Sequence, residues 1–282
     1  MTDPIAIARA LQPKLRERAD EIEAARRLPA DLSAEFASAG FYRMCVPEAY
    51  GGLELPPMTT METIETLAAA DGSAAWCVFI ASTSGTVLAL LPEHGAREVF
   101  SHEETLIGGV FAPRGEAHAE DGGFRVNGRW AWGSGTQNAD WVMGGCRIFE
   151  GGKPVTGKDG APVTRMMIAR ASEVTFHDTW YVSGLSGTGS TDFEFSDVFV
   201  PAHRAVGLGV DRALDRPLYA FPQFGFLAMG IAAVALGLAR AAIDELVTLA
   251  GAKTPAASSR PLAARQAALR RNGAWANIRQ PS

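Results

Sequence analysis

The sequence predicts an α+β protein with more than one domain, in which helices come first, strands follow and a long helix comes last. Apolar residues recur at helical spacing up to about residue 104, apolar runs separated by turns fill residues 105–205, and a long apolar helix begins near Phe224. A chain of 282 residues can bury two or three modest cores. We therefore expect an N-terminal helical domain over residues 1–104, a central antiparallel β-barrel or sandwich over 105–205, and a C-terminal helical domain over 217–282.

The composition is that of an ordinary globular protein, with 47% apolar and 20% charged residues. A net charge of −5 argues against nucleic acid or an anionic membrane surface as a partner. Cys45, Cys77 and Cys146 lie far apart and are odd in number, which favours reduced thiols in a cytoplasmic protein over disulfides. The five histidines have no metal-ligand spacing, so we expect no metal site.

The N-terminal region has the spacing of a series of helices. Asp3 is suited to cap the first helix, with Pro4 in its first turn. Gly40 is suited to end the second helix, and Asp71 with Gly72 separates two later ones. The predicted helices cover residues 4–27, 29–39, 59–71, 73–91 and part of 92–102.

The middle of the chain alternates strand-forming residues with turns, which is typical of mostly antiparallel strands. The predicted strands cover residues 106–111, 124–132, 141–149, 163–169, 174–176 and 192–200, with a loop at 150–161. The last predicted helix, residues 224–250, is apolar on nearly every side as far as Ala239. Arg240 and Asp244 follow too soon for a good membrane span, so we expect a buried helix of a bundle.

One stretch of the middle region has the residues of a ligand site. Trp130 and Trp132 lie two positions apart in a strand, so we expect both indoles on one face, with Ser134 next on that face. Gly133 and Gly135 flank Ser134 and allow another group to approach the backbone closely. An aromatic wall beside a hydroxyl suits a flat heteroaromatic ligand. Taken alone, however, the stretch favours a sheet corner with packed tryptophans over a ligand site.

Several short motifs occur in a definite order along the chain. They are Gly109-Val110-Phe111-Ala112-Pro113-Arg114-Gly115, Trp132-Gly133-Ser134-Gly135, Ala139-Asp140-Trp141, Gly187-Thr188-Gly189-Ser190-Thr191, Phe195 to Pro201, and Ala232 to Glu245. This series resembles the acyl-CoA dehydrogenase superfamily, over roughly residues 5–265. It is most similar to the branch of flavin-dependent monooxygenases, which use a reduced flavin delivered by a separate reductase.

The resemblance implies a fold and a cofactor site. It implies an N-terminal helical domain, a central β-domain and a C-terminal four-helix bundle, with FAD or FMN between the last two. It implies that Trp132 lies beside the flavin ring and that the catalytic residue Ser134 reaches the N5 side of that ring. The remaining flavin contacts implied by position are Phe111, Ala112, Gly133 and, near the cofactor's phosphates or adenine across a subunit interface, Lys253.

The resemblance also suggests which residues meet the substrate, and where the chain departs from its relatives. Residues 224–235 contain no carboxylate, although dehydrogenases of this family use a glutamate there as base, so dehydrogenation is disfavoured. Phe221 and Phe224 offer an aromatic lining instead, together with Trp76. Ser84 stands where relatives that act on phenols often carry a histidine, which weakens the expectation of a phenolic substrate.

The function expected from these observations is that of a two-component monooxygenase. It would use reduced flavin and O2 on a small apolar or aromatic substrate, with a flavin reductase as partner and a homotetramer as the assembled form. An FAD-dependent acyl-CoA dehydrogenase is the first alternative. The second is a truncated, inactive remnant, because a short predicted helix over 262–271 is followed by a tail at 274–282 that does not resemble the family. Without the later bundle helices, we expect weak flavin binding and an exposed apolar face.

Overall fold

A computed structural model describes residues 3–209, 211, 214–256 and 258–264. Six helices precede the strands: α1 Pro4–Glu17, α2 Ala19–Ala25, α3 Ala30–Ser38, α4 Pro57–Ala68, α5 Gly72–Ser84 and α6 Glu93–Val99. Eight strands follow: β1 Ile107–Glu120, β2 Gly123–Gly133, β3 Trp141–Glu150, β4 Lys153–Pro154, β5 Thr164–Arg170, β6 Thr175–His177, β7 Thr191–Pro201 and β8 Ala205–Val206. A long helix, α7 Gln223–Ala252, comes after them. The predicted order of helices, strands and helix is confirmed.

The first predicted helix is two helices. The Asp3 side chain caps α1 by accepting a hydrogen bond from the backbone N–H of Ile5 at 2.9 Å. Arg18 leaves the helical conformation, with φ −100° and ψ 9°, and ends α1. Its guanidinium binds Glu21 of α2 and Asp31 of α3, so this one side chain connects the two helices. The prediction of a continuous helix over 4–27 is wrong at this residue.

Helix α5 lies at the centre of the protein and is buried along most of its length. Asp71 caps it by accepting from the backbone N–H of Ala74 at 2.7 Å, and burial raises the pKa of that carboxyl. The predicted helix over 73–91 is α-helical only as far as Ser84, and Gly85–Leu90 continues as a 3-10 helix. Helix α5 packs against α4, α7 and β1, so it connects the helical region with the strands.

The strands form one mixed sheet in the order β6-β7-β2-β1-β3-β5-β8, with β4 paired to β3. In the part of the chain described, β1 and β3 are the one parallel pair and the other pairings are antiparallel. Strand β1 is longer than the predicted 106–111. Its register against β3 shifts between Val110 and Gly115, and this irregularity accommodates Pro113, which cannot donate a hydrogen bond.

The Trp130 side chain packs among apolar residues of the strands and is fully buried. Its indole N–H donates to the carbonyl oxygens of Gly145 at 2.9 Å and Ala112 at 3.2 Å. The ring stacks on Phe193 with centroids 5.2 Å apart. Gly144 leaves room for this ring, since a Cβ there would lie 2.6 Å from it. Contacts from β1, β3 and β7 therefore meet on one indole.

Helix α7 is buried on one face only. That face packs on α4 and α5 and consists of Phe226, Gly230, Ala233, Val234 and Gly237. The prediction of a buried helix is wrong for the other side, where large apolar residues are exposed: Phe224, Ile231, Leu236, Leu238, Leu246, Val247 and Leu249.

Two helical segments of the described chain are long and apolar enough to cross a membrane by length and composition alone. The first, Gly72–Leu90, is 83% buried within the protein, as a core helix is. The second is α7, in which 28% of the most apolar 18-residue window is buried. Beyond α7, Leu262–Ala264 forms a 3-10 turn at the start of the predicted helix 262–271. Residues 265–282, including the predicted tail, lie outside the described residues.

Candidate functional site

The end of β2 turns sharply at Trp132. The backbone there is in the left-handed region, with φ +67°, and the register against β7 shifts between Trp130 and Gly133. Trp130 is fully buried, whereas 71% of Trp132 is exposed. The prediction that both indoles lie on one face is therefore wrong, because the irregularity breaks the strand's period of two. As a result, the indole ring of Trp132 is exposed at the surface.

Ser134 comes directly after this turn and is buried. Its hydroxyl accepts a hydrogen bond from the indole N–H of Trp76, on α5, at 3.0 Å. The Ser134 oxygen also lies 2.6 Å from the hydroxyl oxygen of Ser190. Two of the predicted site residues, Ser134 and Trp76, are thus in direct contact, and a helix and a strand end meet at one hydroxyl.

The turn before β7 completes this arrangement. The Ser190 oxygen lies 2.6 Å from the hydroxyl oxygen of Thr188, which donates to the carbonyl of Leu185 at 2.9 Å. The backbone N–H of Gly135 donates to the carbonyl of Thr188 at 2.8 Å. Sequence reasoning misses Ser190 and Thr188 as site residues. Their signal is a run of short hydroxyl residues between glycines, Gly187-Thr188-Gly189-Ser190.

A buried thiol lies beneath these hydroxyls. The Cys77 Sγ donates to the carbonyl of Thr188 at 3.8 Å. Burial, with the nearby Asp71 as a second cause, raises the pKa of this thiol to about 12. Burial likewise raises the pKa of Cys45 and Cys146 to about 12. All three are free and buried, so they act as small apolar side chains rather than nucleophiles.

Trp76 also connects Ser134 with α7. Its ring meets Phe79 edge to face, with centroids 5.3 Å apart. Phe79 in turn lies against Gly230 of α7, where a Cβ would be 2.1 Å from its ring. One row of contacts therefore runs from the strand end through α5 to α7.

The other predicted substrate contacts lie near the start of α7 and the end of α5. Phe221 is 39% exposed and meets Phe226 with ring centroids 6.0 Å apart, while Phe224 is 69% exposed. Ser84 is buried in the last turn of α5. The structure gathers none of the three around the Ser134 hydroxyl, so their substrate role stays a prediction.

The remaining predicted flavin contacts are spread over the surface. Phe111 packs partly buried beside a small cavity lined by Gly145 and Met166, on β3 and β5. Ala112 is exposed, and its carbonyl accepts from Trp130. Lys253 is the exposed C-terminal cap of α7. Their flavin contacts also remain predictions.

Three histidines of the described chain lie beside carboxylates, and in two of these pairs the distance is that of a hydrogen bond. The His177 Nε2 lies 2.8 Å from Glu194, and that of His203 lies 2.7 Å from Glu98. Asp178, next to His177, binds Arg26 instead, so the two neighbours form no catalytic dyad. Across the residues that the structure describes, no group of three or more His, Cys, Asp or Glu side chains could hold a metal ion.

Comparison with known proteins relates the chain to flavin enzymes. The family model described as acyl-CoA dehydrogenase, N-terminal domain, matches residues 6–99. The chain is 35% identical over 255 residues to an indole-3-acetate monooxygenase of Pseudomonas putida, a match that covers 88% of this chain and 63% of the relative. It is 33% identical over 258 residues to the oxygenase subunit HsaA of a flavin-dependent monooxygenase from Rhodococcus jostii, covering 88% and 65% respectively. The chain thus spans less than two thirds of these relatives' length.

Two further matches cover more of the related protein. A pigment production hydroxylase of a Rhodococcus species is 30% identical over 273 residues, covering 94% of this chain and 69% of the relative. The solved structure of XiaF from Streptomyces, in complex with FADH2 and glycerol, has a TM-score of 0.86 at 26% identity, covering 97% of this chain and 70% of that one. These similarities confirm the resemblance found from the sequence motifs. The chain belongs to the acyl-CoA dehydrogenase superfamily, in its branch of flavin-dependent monooxygenases.

Proposed function

We propose that this chain is the oxygenase component of a two-component monooxygenase that uses reduced flavin and O2 on a small apolar or aromatic substrate. The single observation that carries the proposal is the strand end at Trp132–Ser134. Trp130 is fully buried, whereas 71% of Trp132 is exposed. The hydroxyl of Ser134 is buried and is bonded to Trp76 of α5 and to Ser190 in the turn before β7. A core does not need an exposed indole in a left-handed conformation, whereas a planar ligand can use it.

The residues at this strand end fit a flavin. The open face of Trp132 would stack on a planar ring, and Ser134 would hydrogen-bond its N5 edge. Phe111, Ala112, Gly133 and, towards the phosphates, Lys253 are the further contacts we propose for FAD or FMN. A reduced flavin supplies the activation of O2, and the protein orients the ring and excludes water from it. The buried hydroxyls of Ser190 and Thr188 and the buried thiol of Cys77 beside Ser134 support exclusion of water on that side of the site.

The substrate is proposed from the relatives and from the side chains near α7. One relative is named for indole-3-acetate, a small aromatic acid. Phe221 and Phe224 are exposed aromatic residues at the start of α7, which supports an aromatic lining. The indole N–H of Trp76 is bound to Ser134, so Trp76 would offer a substrate its ring and no hydrogen bond. Ser84 is buried in the last turn of α5, and its contact with a substrate is part of the proposal.

We further infer a flavin reductase as partner and a homotetramer as the assembled form. The name oxygenase subunit on one relative supports a separate reductase. The exposed apolar side of α7 supports association through a four-helix bundle. Contacts from three strands on Trp130 support a sheet that curls into a barrel, and the free cysteines support a cytoplasmic location. Domains at residues 1–104, 105–205 and 217–282 complete the proposal.

Acyl-CoA dehydrogenation by FAD is the alternative. It is disfavoured because the first part of α7, residues 224–235, has no carboxylate to serve as base. The deciding experiment mixes the anaerobic protein with reduced FMN or FAD and then adds O2 and indole-3-acetate or another small aromatic acid. Flavin-dependent loss of the aromatic compound supports the proposal. Bleaching of oxidised FAD by an acyl-CoA without O2 would favour the dehydrogenase, and no binding of either flavin would favour an inactive remnant.

A further inference from the structure

Four buried or half-buried groups form a continuous row of hydrogen bonds, which we term the hydroxyl relay. It runs from the indole N–H of Trp76 to Ser134, Ser190 and Thr188, and it ends at the carbonyl of Leu185. The successive distances are 3.0, 2.6, 2.6 and 2.9 Å. The three hydroxyl residues are buried, with no more than 8% exposed, so water does not compete for these bonds.

The carbonyl end of the hydroxyl relay, at Leu185, fixes the direction of the bonds between its hydroxyls. A carbonyl oxygen can only accept, so Thr188 donates its one proton to Leu185. Thr188 must then accept from Ser190, and Ser190 must accept from Ser134. At the other end an indole N–H can only donate, so Trp76 donates to Ser134. This bond is compatible with the direction set from Leu185, because a lone pair of Ser134 receives it.

The Ser134 hydroxyl can form only one kind of hydrogen bond with a further ligand. Its proton is used on Ser190, and one lone pair receives the Trp76 N–H. A hydroxyl oxygen has two lone pairs, so one remains. Towards any further ligand, Ser134 is therefore an acceptor and not a donor.

We propose that Ser190 and Thr188 hold Ser134 as a hydrogen-bond acceptor and thereby determine how strongly this site prefers reduced over oxidised flavin. This inference rests on the proposed function, in which the N5 edge of the flavin meets Ser134. Reduced flavin carries a hydrogen on N5 and donates it, which matches the free lone pair of Ser134. Oxidised flavin has a lone pair on N5, and two facing lone pairs gain no hydrogen bond.

Ser190 and Thr188 are positioning residues in this account, because they act on the flavin only through Ser134. Ser190→Ala removes the group that takes the Ser134 proton, so the hydroxyl can turn and donate to oxidised N5. Thr188→Val has the same effect one step away, because Ser190 then loses its acceptor and can donate back to Ser134. One hydrogen bond gained by one redox form and lost by the other changes their affinity ratio by about tenfold.

The first test measures Kd for reduced and oxidised FMN and FAD, anaerobically, on the full chain and its variants. The wild type is expected to bind the reduced form more tightly. The ratio of oxidised to reduced Kd should fall about tenfold in Ser190→Ala and in Thr188→Val. Thr188→Ser keeps the hydroxyl and should keep the wild-type ratio. Equal weakening of both forms, with the ratio unchanged, would overturn the proposal, because that is the effect of a merely structural role.

A second readout needs no flavin and separates failure of the hydroxyl relay from failure of the proposed function. The indole N–H resonance of Trp76, assigned in ¹⁵N-labelled protein through Trp76→Phe, reports its bond to Ser134. A Ser134 that donates its own proton is the stronger acceptor, so Ser190→Ala should shift this resonance upfield. An unshifted resonance would overturn the relay. Binding of neither flavin form, together with the expected shift, would overturn the flavin site and the redox selection while leaving the relay intact.

Discussion

Gly237 of α7 lies directly against the carbonyl oxygen of Glu65 on α4. A Cβ at residue 237 would be only 2.4 Å from that oxygen. The two helices therefore touch backbone to backbone, as small residues at a helix interface allow. At Gly230 the absence of a side chain lets α7 pack onto the ring of Phe79, which contacts Trp76. The position of α7 and the Ser134 site are thus coupled through packing.

Adding one methyl group at this contact should separate the two helices. Gly237→Ala forces a Cβ into backbone atoms of α4, and overpacking of this kind costs about 1–3 kcal/mol, partly offset by about 1 kcal/mol of helix propensity. We expect the free energy of unfolding to fall by up to about 2 kcal/mol in urea denaturation. Gly251→Ala in the same helix is the control, since nothing lies within 4 Å of its Cβ position. An equal gain in both variants would contradict the contact.

Truncation of Trp130 should lower stability, whereas truncation of Trp132 should lower flavin affinity. Trp130→Ala opens a cavity in the core and should cost about 3–5 kcal/mol of unfolding free energy. Trp132→Ala removes an exposed ring and should change it by less than about 0.5 kcal/mol. Trp132→Ala should instead weaken binding of reduced flavin, by about tenfold for one aromatic stack. Unchanged flavin affinity in Trp132→Ala would exclude this indole from the site.

The buried thiols predict a loss of stability in alkali. Burial raises the pKa of Cys45, Cys77 and Cys146 from 9.0 to about 12, so the folded protein keeps protons that the unfolded chain releases. Their contribution is complete below about pH 9 and is lost as pH rises towards 12. Each thiol adds a slope of about 1.4 kcal/mol per pH unit within that window.

Denaturation at pH 8, 8.5 and 9, below the ordinary tyrosine pKa of 10.0, measures this slope. Cys146→Ala should remove the share of one thiol from the slope. A free energy of unfolding that is flat over these pH values would mean that the thiols are accessible to solvent in the folded protein.

Asp178 predicts an effect in acid. Hydrogen bonds from Arg26, and next from Tyr181, lower the pKa of this carboxyl from 3.8 to about 2. Its contribution to stability is therefore present above pH 3.8 and is lost as pH falls through about 2. In an NMR titration of the carboxyl carbon, Arg26→Gln should move the midpoint back towards 3.8, and Tyr181→Phe should move it less. A larger shift in Tyr181→Phe would reverse the assignment of the main partner.

Most helix and strand positions are predictable from local sequence patterns. Caps such as Asp3 and Asp71, and the turn at Gly40, mark helix ends because the bonds involved join residues close in sequence. The break at Arg18 was not predictable in this way, because its partner Asp31 lies on the following helix. The full length of β1 was also missed, since the bulge that tolerates Pro113 depends on pairing with β3.

The candidate site was predictable only in part, for the same reason. The motif around Ser134 indicates the strand end. The alternation of side chains along the strand breaks at Trp132, because its backbone is left-handed, and a non-glycine residue gives no sign of that conformation in the sequence. The bonds from Trp76 and Ser190 to Ser134 span 58 and 56 residues and depend on how α5 and β7 pack. The apolar pattern of α7 predicted burial but not which side has a neighbour within the chain.

The most direct test of the central claim is the source of the oxygen atom in the product. The full chain is given reduced FMN or FAD, indole-3-acetate or another small aromatic acid, and ¹⁸O2 in unlabelled water, and products are analysed by mass spectrometry. An oxygenase is expected to give a hydroxylated product that carries one ¹⁸O atom, and Trp132→Ala should give less of it. A product with oxygen from water, or reoxidation of the flavin with no change in any aromatic compound although the flavin is bound, would contradict the account.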